Sequence, residues 1–311
     1  MKYRENKTER LKRKEECIMK NWKRWTTAVI AAIAAGSLAA CGGAADTNEG
    51  GDSAETVIVK VGVVGEYNAQ WDTVNELLAK DSNYQVELVK FTDYAAPNRA
   101  LNDGEIDLNA FQHKAFLAND ISQKGYEIVD IGDTIIAPLS IYNNKDKISS
   151  IEEIKDGDII AIPSDLTNGG RALKLLEKAG ILECDPAKGY VPTKADITKY
   201  NVNIEIMEAE SATLANLLPD CTAAIINGGN AYTAGLSAAE DTIFTEDVNP
   251  ETNEAVPQLI NVIAARTAAK DNEVYKKIVD TYHTAEVQKT IEDTYQGAFL
   301  CAWEEALESA E

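Results

Sequence analysis

The stretch ETVIVKVGVVGEYNAQWDTVNELLAKDSNYQVELVKF (55–91) contains two strand patterns with a helix pattern between them. Residues 55–65 and 84–91 alternate apolar and polar side chains, which predicts strands, whereas residues 69–81 carry apolar side chains at helical spacing. Strand, helix and strand in this order predict a βαβ unit in a parallel sheet. The predicted fold class is therefore α/β.

The same alternation continues along the chain and indicates two lobes. The apolar runs 134–143 and 257–266 predict two long strands that cross between the lobes. Pro138 lies inside the first run; proline is disfavoured in a central sheet position but harmless in a crossing strand. The predicted boundaries are 57–138 with 262–311 for the first lobe and 139–261 for the second. Such lobes enclose a cleft that binds small molecules and closes by hinge motion.

The head of the chain has a different composition from the rest. Its first 41 residues carry ten Lys/Arg and four Asp/Glu, although the whole chain has a net charge of −21. A positive segment from Met19 precedes the apolar run 26–40, which is too short to span a bilayer. Cys41 follows and resembles the lipobox cysteine of bacterial lipoproteins. We expect a signal peptide over 1–40, with Met19 the true start, and a lipidated cysteine with a flexible tether over 41–56. The alternative is a plain secretory signal.

The remaining composition excludes several functions. An acidic body argues against binding to nucleic acid or to anionic lipid. Cys184, Cys221 and Cys301 are too few for a disulfide framework, and whether two of them pair stays open. The chain has two histidines, and neither has a cysteine nearby, so we expect neither a metal site nor a cofactor.

Two polar segments are candidate receptors for a ligand head group. In SDLTNGGRALKLL (164–176), Thr167 or Asn168 is the expected N-cap of a helix. The N–H groups of a helix start and the forked guanidinium of Arg171 together predict a carboxylate receptor. Asn227 follows an apolar strand and offers both a donor and an acceptor. The alternatives are a solvated arginine and an ordinary turn asparagine.

Aromatic and polar side chains form a second candidate group. Phe111 and His113, in DLNAFQHKAF (107–116), predict a wall that binds an amphipathic molecule. Tyr94, Tyr67 and Trp71 lie on or near turns that follow strands, where open α/β sheets bind ligands. Core packing is the alternative for the aromatic rings. His113 could also be a general base, although no Gly-x-Ser-x-Gly motif supplies a nucleophile.

Four motifs carry a resemblance to a known family: FTDYAAPNRAL (91–101), DLNAFQH (107–113), IPSDLTNGGRALKLLEKAGIL (162–182) and AIING (224–228). In order and spacing, the chain resembles the methionine-binding lipoprotein family, the substrate-binding components of methionine-type ABC importers. The resemblance implies a two-lobed Venus-flytrap fold with two hinge crossings. It departs from the family pattern at 67–70 and 213–216, which weakens the identification of the pocket wall.

The resemblance also implies roles for individual residues. Arg171 and Asn168 correspond to the receptors of the ligand carboxylate, and Asn227 to a further contact of the amino-acid head. Phe111 and Tyr94 correspond to the residues that pack on the ligand side chain, and His113 to the pocket histidine.

We therefore expect a monomeric, lipid-anchored, extracytoplasmic binding protein, not an enzyme, that delivers an amino acid to an ABC permease. Methionine is the expected ligand. The alternatives are another amino acid or small amphipathic ligand, a receptor or adhesin with a degenerate pocket, and an enzyme that uses His113 as a base.

Overall fold

The computed structural model describes residues 55–303 and residue 306. The predicted signal peptide over 1–40, and Cys41 with the tether as far as residue 54, lie outside the described residues. Within the described ranges, no helix combines the length and the apolar composition that a membrane crossing requires.

The described residues form alternating strands and helices. The strands are β1 Val57–Val64, β2 Tyr84–Phe91, β3 Leu108–His113, β4 Ile128–Asp133, β5 Ile135–Ile136, β6 Ser140–Asn143, β7 Ile159–Pro163, β8 Leu182–Cys184, β9 Ile197–Tyr200, β10 Glu205–Ala209, β11 Ala223–Ile226, β12 Thr242–Thr245, β13 Asn261–Arg266 and β14 Leu300–Cys301. The helices are α1 Ala69–Asp81, α2 Ala96–Asn102, α3 Lys114–Lys124, α4 Leu166–Lys178, α5 Leu214–Leu217, α6 Gly228–Thr233, α7 Val256–Leu259, α8 Glu273–Tyr282 and α9 Ala285–Tyr295.

Two five-stranded sheets define two lobes, as the sequence predicts. The first sheet has the order β2-β1-β3-β13-β4, with β1 parallel to both neighbours and β13 antiparallel to β3 and β4. The second has the order β10-β7-β11-β6-β12, with β7 parallel to both neighbours and β6 antiparallel to both of its own. Helices cover the apolar faces, so each lobe has its own core.

Both predicted crossing strands are wrong in detail. The run 134–143 is divided into β5 and β6, because Pro138 interrupts strand pairing at the point where the chain leaves the first lobe. Residues 257–259 belong to helix α7, with Pro257 in its first turn, and the returning strand β13 begins only at Asn261. An apolar run alone does not distinguish a short helix from a strand, which explains the error.

A buried amide cluster supports β3, the strand that carries Phe111 and His113. Asn98 of α2 is fully buried, and its Nδ2 donates to Gln112 Oε1 at 2.7 Å and to Asp120 Oδ2 at 3.0 Å. Its Oδ1 accepts from Gln112 Nε2 at 2.6 Å and from Asn109 Nδ2 at 2.9 Å. One asparagine therefore ties α2, β3 and α3 together directly behind the cleft.

Candidate functional site

A narrow cavity lies where the carboxyl ends of strands from both lobes meet, and the centre of a water molecule can occupy about 30 Å³ of it. β3 supplies Phe111 and His113 from the first lobe, and the segments that follow β7 and β11 supply residues of the second. The lining residues are Tyr67, Tyr94, Phe111, Gln112, His113, Phe116, Ala137, Asn168, Arg171, Asn227, Gly228, Gly229 and Asn261.

Arg171 provides the cation of the cavity. It lies in α4, and its side chain is 6% exposed. Nε donates to Glu246 Oε1 at 2.7 Å, and Nη2 donates to Glu246 Oε2 and, at 3.0 Å, to the carbonyl oxygen of Ala137. The ion pair is bidentate, so the plane of the guanidinium is fixed. The predicted alternative, a solvated arginine, is therefore wrong.

The N-cap of α4 is Asp165, and the predicted caps, Thr167 and Asn168, are wrong. Asp165 Oδ1 accepts from the backbone N–H of Asn168 at 2.9 Å, and its carboxylate also accepts from Asn168 Nδ2 and Thr167 Oγ1. A carboxylate of the protein itself thus takes the donors of the helix start, which satisfies them and suits the helix dipole. The predicted role of this helix start in binding a ligand anion does not fit the structure.

A series of side-chain hydrogen bonds crosses the cleft from His113 to two asparagines of the second lobe. The backbone N–H of Phe116 donates to His113 Nδ1 at 3.1 Å, so the proton of the neutral ring lies on Nε2. Nε2 is 3.2 Å from Asn168 Oδ1 on the opposite lobe, which also accepts from Asn227 Nδ2 at 2.9 Å. Asn168 therefore contacts both His113 and Asn227 and connects the two lobes by hydrogen bonds.

His113 is held neutral. Burial and, secondarily, the positive charge of Arg171 lower the pKa of His113 to about 4, against the opposing effects of Asn168 and Glu246. Protonation at Nδ1 would also face the N–H of Phe116, which donates to that atom. Such a low pKa makes the ring a weak base, and both nitrogens are already engaged in hydrogen bonds.

Three aromatic rings form the apolar wall. The centroids of Tyr94 and Phe111 are 5.9 Å apart, and Phe116 lies 6.0 Å from each of them, edge-on to both. Burial is the main cause that raises the pKa of Tyr94 well above its usual value, so the hydroxyl stays neutral. The wall offers ring faces and edges to an apolar or polarisable group.

Tyr67 closes one side of the cavity against the second lobe. Its ring stacks on Phe299 at 5.1 Å and lies so close to Gly229 that a Cβ there would be 2.4 Å from Tyr67 Cε1. Burial raises the pKa of Tyr67 to about 12. Only a residue without a side chain permits this approach between the lobes.

Seven predicted site residues come together around the cavity, and one does not. Trp71 is 1% exposed and packs in the core of the first lobe, where its ring is 5.2 Å from that of Tyr282. It lies on the face of α1 that is turned towards the sheet, and the cavity lies elsewhere. The seven that line the cavity are Arg171, Asn168, Asn227, Phe111, His113, Tyr94 and Tyr67.

Several residues of the site were missed from the sequence. Phe116 and Asn261 line the cavity, and Glu246 holds Arg171 from behind. Phe116 follows His113 by one helical turn, and Asn261 is a polar residue at the entrance to an apolar strand, so both carried a weak signal. Glu246 lies 75 residues from Arg171 in an acidic loop and carried none.

A cavity lined from both lobes of this α/β fold defines a substrate-binding protein of the two-lobed, periplasmic type. A profile of the NlpA lipoprotein family matches residues 59–303, and the chain belongs to this family. The resemblance to methionine-binding lipoproteins that the four motifs carry is confirmed.

Relatives and solved structures agree with this assignment. The chain is 40% identical over 253 residues to outer membrane lipoprotein 3 of Mannheimia haemolytica, covering 81% of this chain and 92% of that protein. It is 37% identical over 257 residues to the D-methionine-binding lipoprotein MetQ of Escherichia coli strain K12, covering 82% and 92%. The structure of a nutrient binding protein from Burkholderia cenocepacia bound to methionine matches with a TM-score of 0.73 at 32% identity, covering 79% of this chain and 100% of that chain.

Proposed function

We propose that this protein binds methionine between its lobes and delivers it to the permease of an ABC importer. The observation that carries the proposal is the placement of one fixed guanidinium and several amides on one side of the cavity and three aromatic rings on the other. A free amino acid with an apolar side chain has the same two halves.

The polar side suits an amino-acid head group. Arg171 can pair with a carboxylate, and the side-chain Oδ1 of Asn227 is a buried acceptor without a partner among the described residues. An ammonium group would satisfy that acceptor. Ligand binding would thus complete hydrogen bonds that the protein alone leaves open.

The aromatic side suits a thioether. Sulfur makes favourable contacts with aromatic rings, worth about 0.3–1.5 kcal/mol each. Phe111, Phe116 and Tyr94 present such rings within one wall. The names of two similar proteins, the D-methionine-binding lipoprotein MetQ of Escherichia coli and the nutrient binding protein of Burkholderia cenocepacia bound to methionine, support the same choice of ligand.

Closure of the lobes would couple binding to delivery. A ligand that touches both lobes favours the closed arrangement by its difference in affinity for the two states. His113 contacts Asn168 and Tyr67 contacts Gly229 across the two lobes, so both contacts would contribute to the closed arrangement. The permease would then distinguish the loaded from the empty protein.

Membrane attachment completes the proposal. The NlpA family is a lipoprotein family, which indicates an extracytoplasmic, membrane-associated location. Lipid on Cys41, with residues 41–56 as a tether, would hold a monomeric body near its permease. The boundaries 57–138 with 262–311 and 139–261 are the proposed limits of the two lobes, and the same proposal assigns the site no catalytic step.

Isothermal titration calorimetry of the purified protein with L- and D-methionine and the other standard amino acids tests the proposal. Saturable binding of methionine is expected, and Arg171→Ala should weaken it at least about 30-fold, because removing one partner of a buried charge contact costs about 2–5 kcal/mol. Arg99→Ala removes an exposed guanidinium and should leave the affinity unchanged. The absence of heat with every amino acid, for a protein that unfolds cooperatively, would contradict the proposal.

A further inference from the structure

The ion pair of Arg171 with Glu246 leaves the guanidinium little freedom. The two side chains are 6% and 10% exposed, and Glu246 also accepts from the backbone N–H of Leu139 at 3.1 Å. That N–H lies next to the first crossing between the lobes. Glu246 is therefore held by the backbone as well as by Arg171.

Glu246 does not line the ligand cavity. It lines a separate crevice on the other side of Arg171, together with Lys174, Lys178 and Tyr190. The carboxylate thus acts on a ligand only through the guanidinium that stands between them.

The bonds of Arg171 determine which of its donors remain. Nε and Nη2 are engaged by Glu246 and by the carbonyl oxygen of Ala137. Among the described residues, no acceptor is hydrogen-bonded to Nη1. The two N–H groups of Nη1 are therefore the donors that a ligand carboxylate can take.

The charged groups around the cavity leave no net positive charge for an anion. Glu246 cancels the charge of Arg171, His113 is neutral, and the carboxylate of Asp165, which accepts from Asn168, adds one negative charge nearby. A ligand with a bare carboxylate would add a second uncompensated negative charge to a buried site. A zwitterion adds none, and its ammonium finds the open acceptor of Asn227.

We infer that Glu246 is a positioning residue that sets the substrate class of the site. It turns Nη1 towards the cavity and cancels the charge of Arg171, so that the site accepts zwitterionic amino acids and rejects carboxylates that lack the α-amino group. This inference rests on the proposed function and deepens it.

The wild-type protein gives the first test, by calorimetry with L-methionine and with 4-(methylthio)butanoate, which differs only by the missing amino group. We expect methionine to bind at least 100-fold more tightly. Comparable binding of the two compounds would overturn the inference while the proposed function stands. Failure to bind any amino acid would instead overturn the proposed function.

Variants give the second test. Glu246→Gln should narrow the ratio of the two dissociation constants at least tenfold, because the uncancelled guanidinium then favours the anion. Glu246→Asp keeps the charge but shortens the reach, and should weaken both ligands while preserving the ratio. Glu177→Gln removes a carboxylate that pairs with Lys174 on the outer part of the same helix, and should change neither constant more than twofold.

A purely structural role for Glu246 would weaken both ligands equally in Glu246→Gln, and that outcome would refute the inference. If the Glu246→Gln protein does not fold, the ratio of the two dissociation constants in the wild type and in Glu246→Asp tests the inference. Loss of the ratio in the folded Asp variant would likewise refute it.

Discussion

Replacement of Gly229 by alanine should block closure of the lobes without touching any group that binds the ligand head. The added Cβ would lie 2.4 Å from Cε1 and 2.8 Å from Cζ of Tyr67, roughly 1 Å closer than ordinary carbon contacts allow. Tyr67 is 8% exposed and stacks on Phe299, so its ring has little room to retreat. The two residues lie on different lobes, so we expect the overlap to be relieved when the lobes separate.

The size of the effect follows from the cost of overpacking. Adding a methyl group to a packed interior costs about 1–3 kcal/mol. If the closed state alone carries this cost, the dissociation constant for methionine should rise about 5- to 150-fold. The ligand-free, open protein should be at least as stable as the wild type, because alanine is favoured over glycine in a helix by up to about 1 kcal/mol and Gly229 lies in α6.

Calorimetry and thermal unfolding together make the test. Gly132→Ala is the matched control, because its Cβ would lie 2.6 Å from Val279 Cγ1 within the first lobe, so it should lower the melting temperature and leave the affinity within twofold. In a Tyr67→Ala background the cost of Gly229→Ala should vanish. An unchanged affinity of Gly229→Ala in the wild-type background would refute the reasoning.

Two further predictions concern His113 and Asn98. Because burial lowers the pKa of His113 to about 4, the closed state needs the neutral ring. If the ring regains its usual pKa of about 6.5 when the site opens, the affinity for methionine should be constant above about pH 7.5 and fall at lower pH, by about 2 kcal/mol or roughly 30-fold at pH 5. In His113→Gln, the affinity for methionine measured by calorimetry should no longer depend on pH between about pH 5 and 7. An unaltered dependence of affinity on pH would contradict this role of His113. Asn98→Ala removes a hydrogen-bond partner from each of the buried residues Gln112, Asn109 and Asp120. It should lower the free energy of unfolding in urea by about 2–4 kcal/mol. Asn102→Ala at the exposed end of the same helix should cost under about 1 kcal/mol, and equal costs would contradict the cluster's importance.

The fold was accessible from the sequence where periodicity is local. The alternation in 55–65 and 84–91 and the helical spacing of 69–81 have direct counterparts in β1, β2 and α1. The same spacing could have placed Trp71 correctly, because it shares a face with Val74 and Leu78, both of which are buried against the sheet. The position of a large aromatic ring near the start of a helix can be predicted from the helix face on which it lies.

The remaining errors arose where tertiary geometry decides. Asp165, Thr167 and Asn168 are all good capping residues, and only the backbone path selects the first as the cap. Arg171 and Glu246 are in contact although they lie 75 positions apart, and no local sequence pattern predicts this contact. The polar half of the site was therefore predictable in its cation and its amides, but not in the partner that fixes the cation.

A crystal structure of the protein with methionine tests the central claim most directly. We expect one carboxylate oxygen of the ligand at about 2.7–3.0 Å from Arg171 Nη1, the ammonium within hydrogen-bonding distance of Asn227 Oδ1, and the thioether against Phe111 and Phe116. A ligand whose carboxylate makes no contact with Arg171, or whose sulfur points away from the aromatic wall, would contradict it.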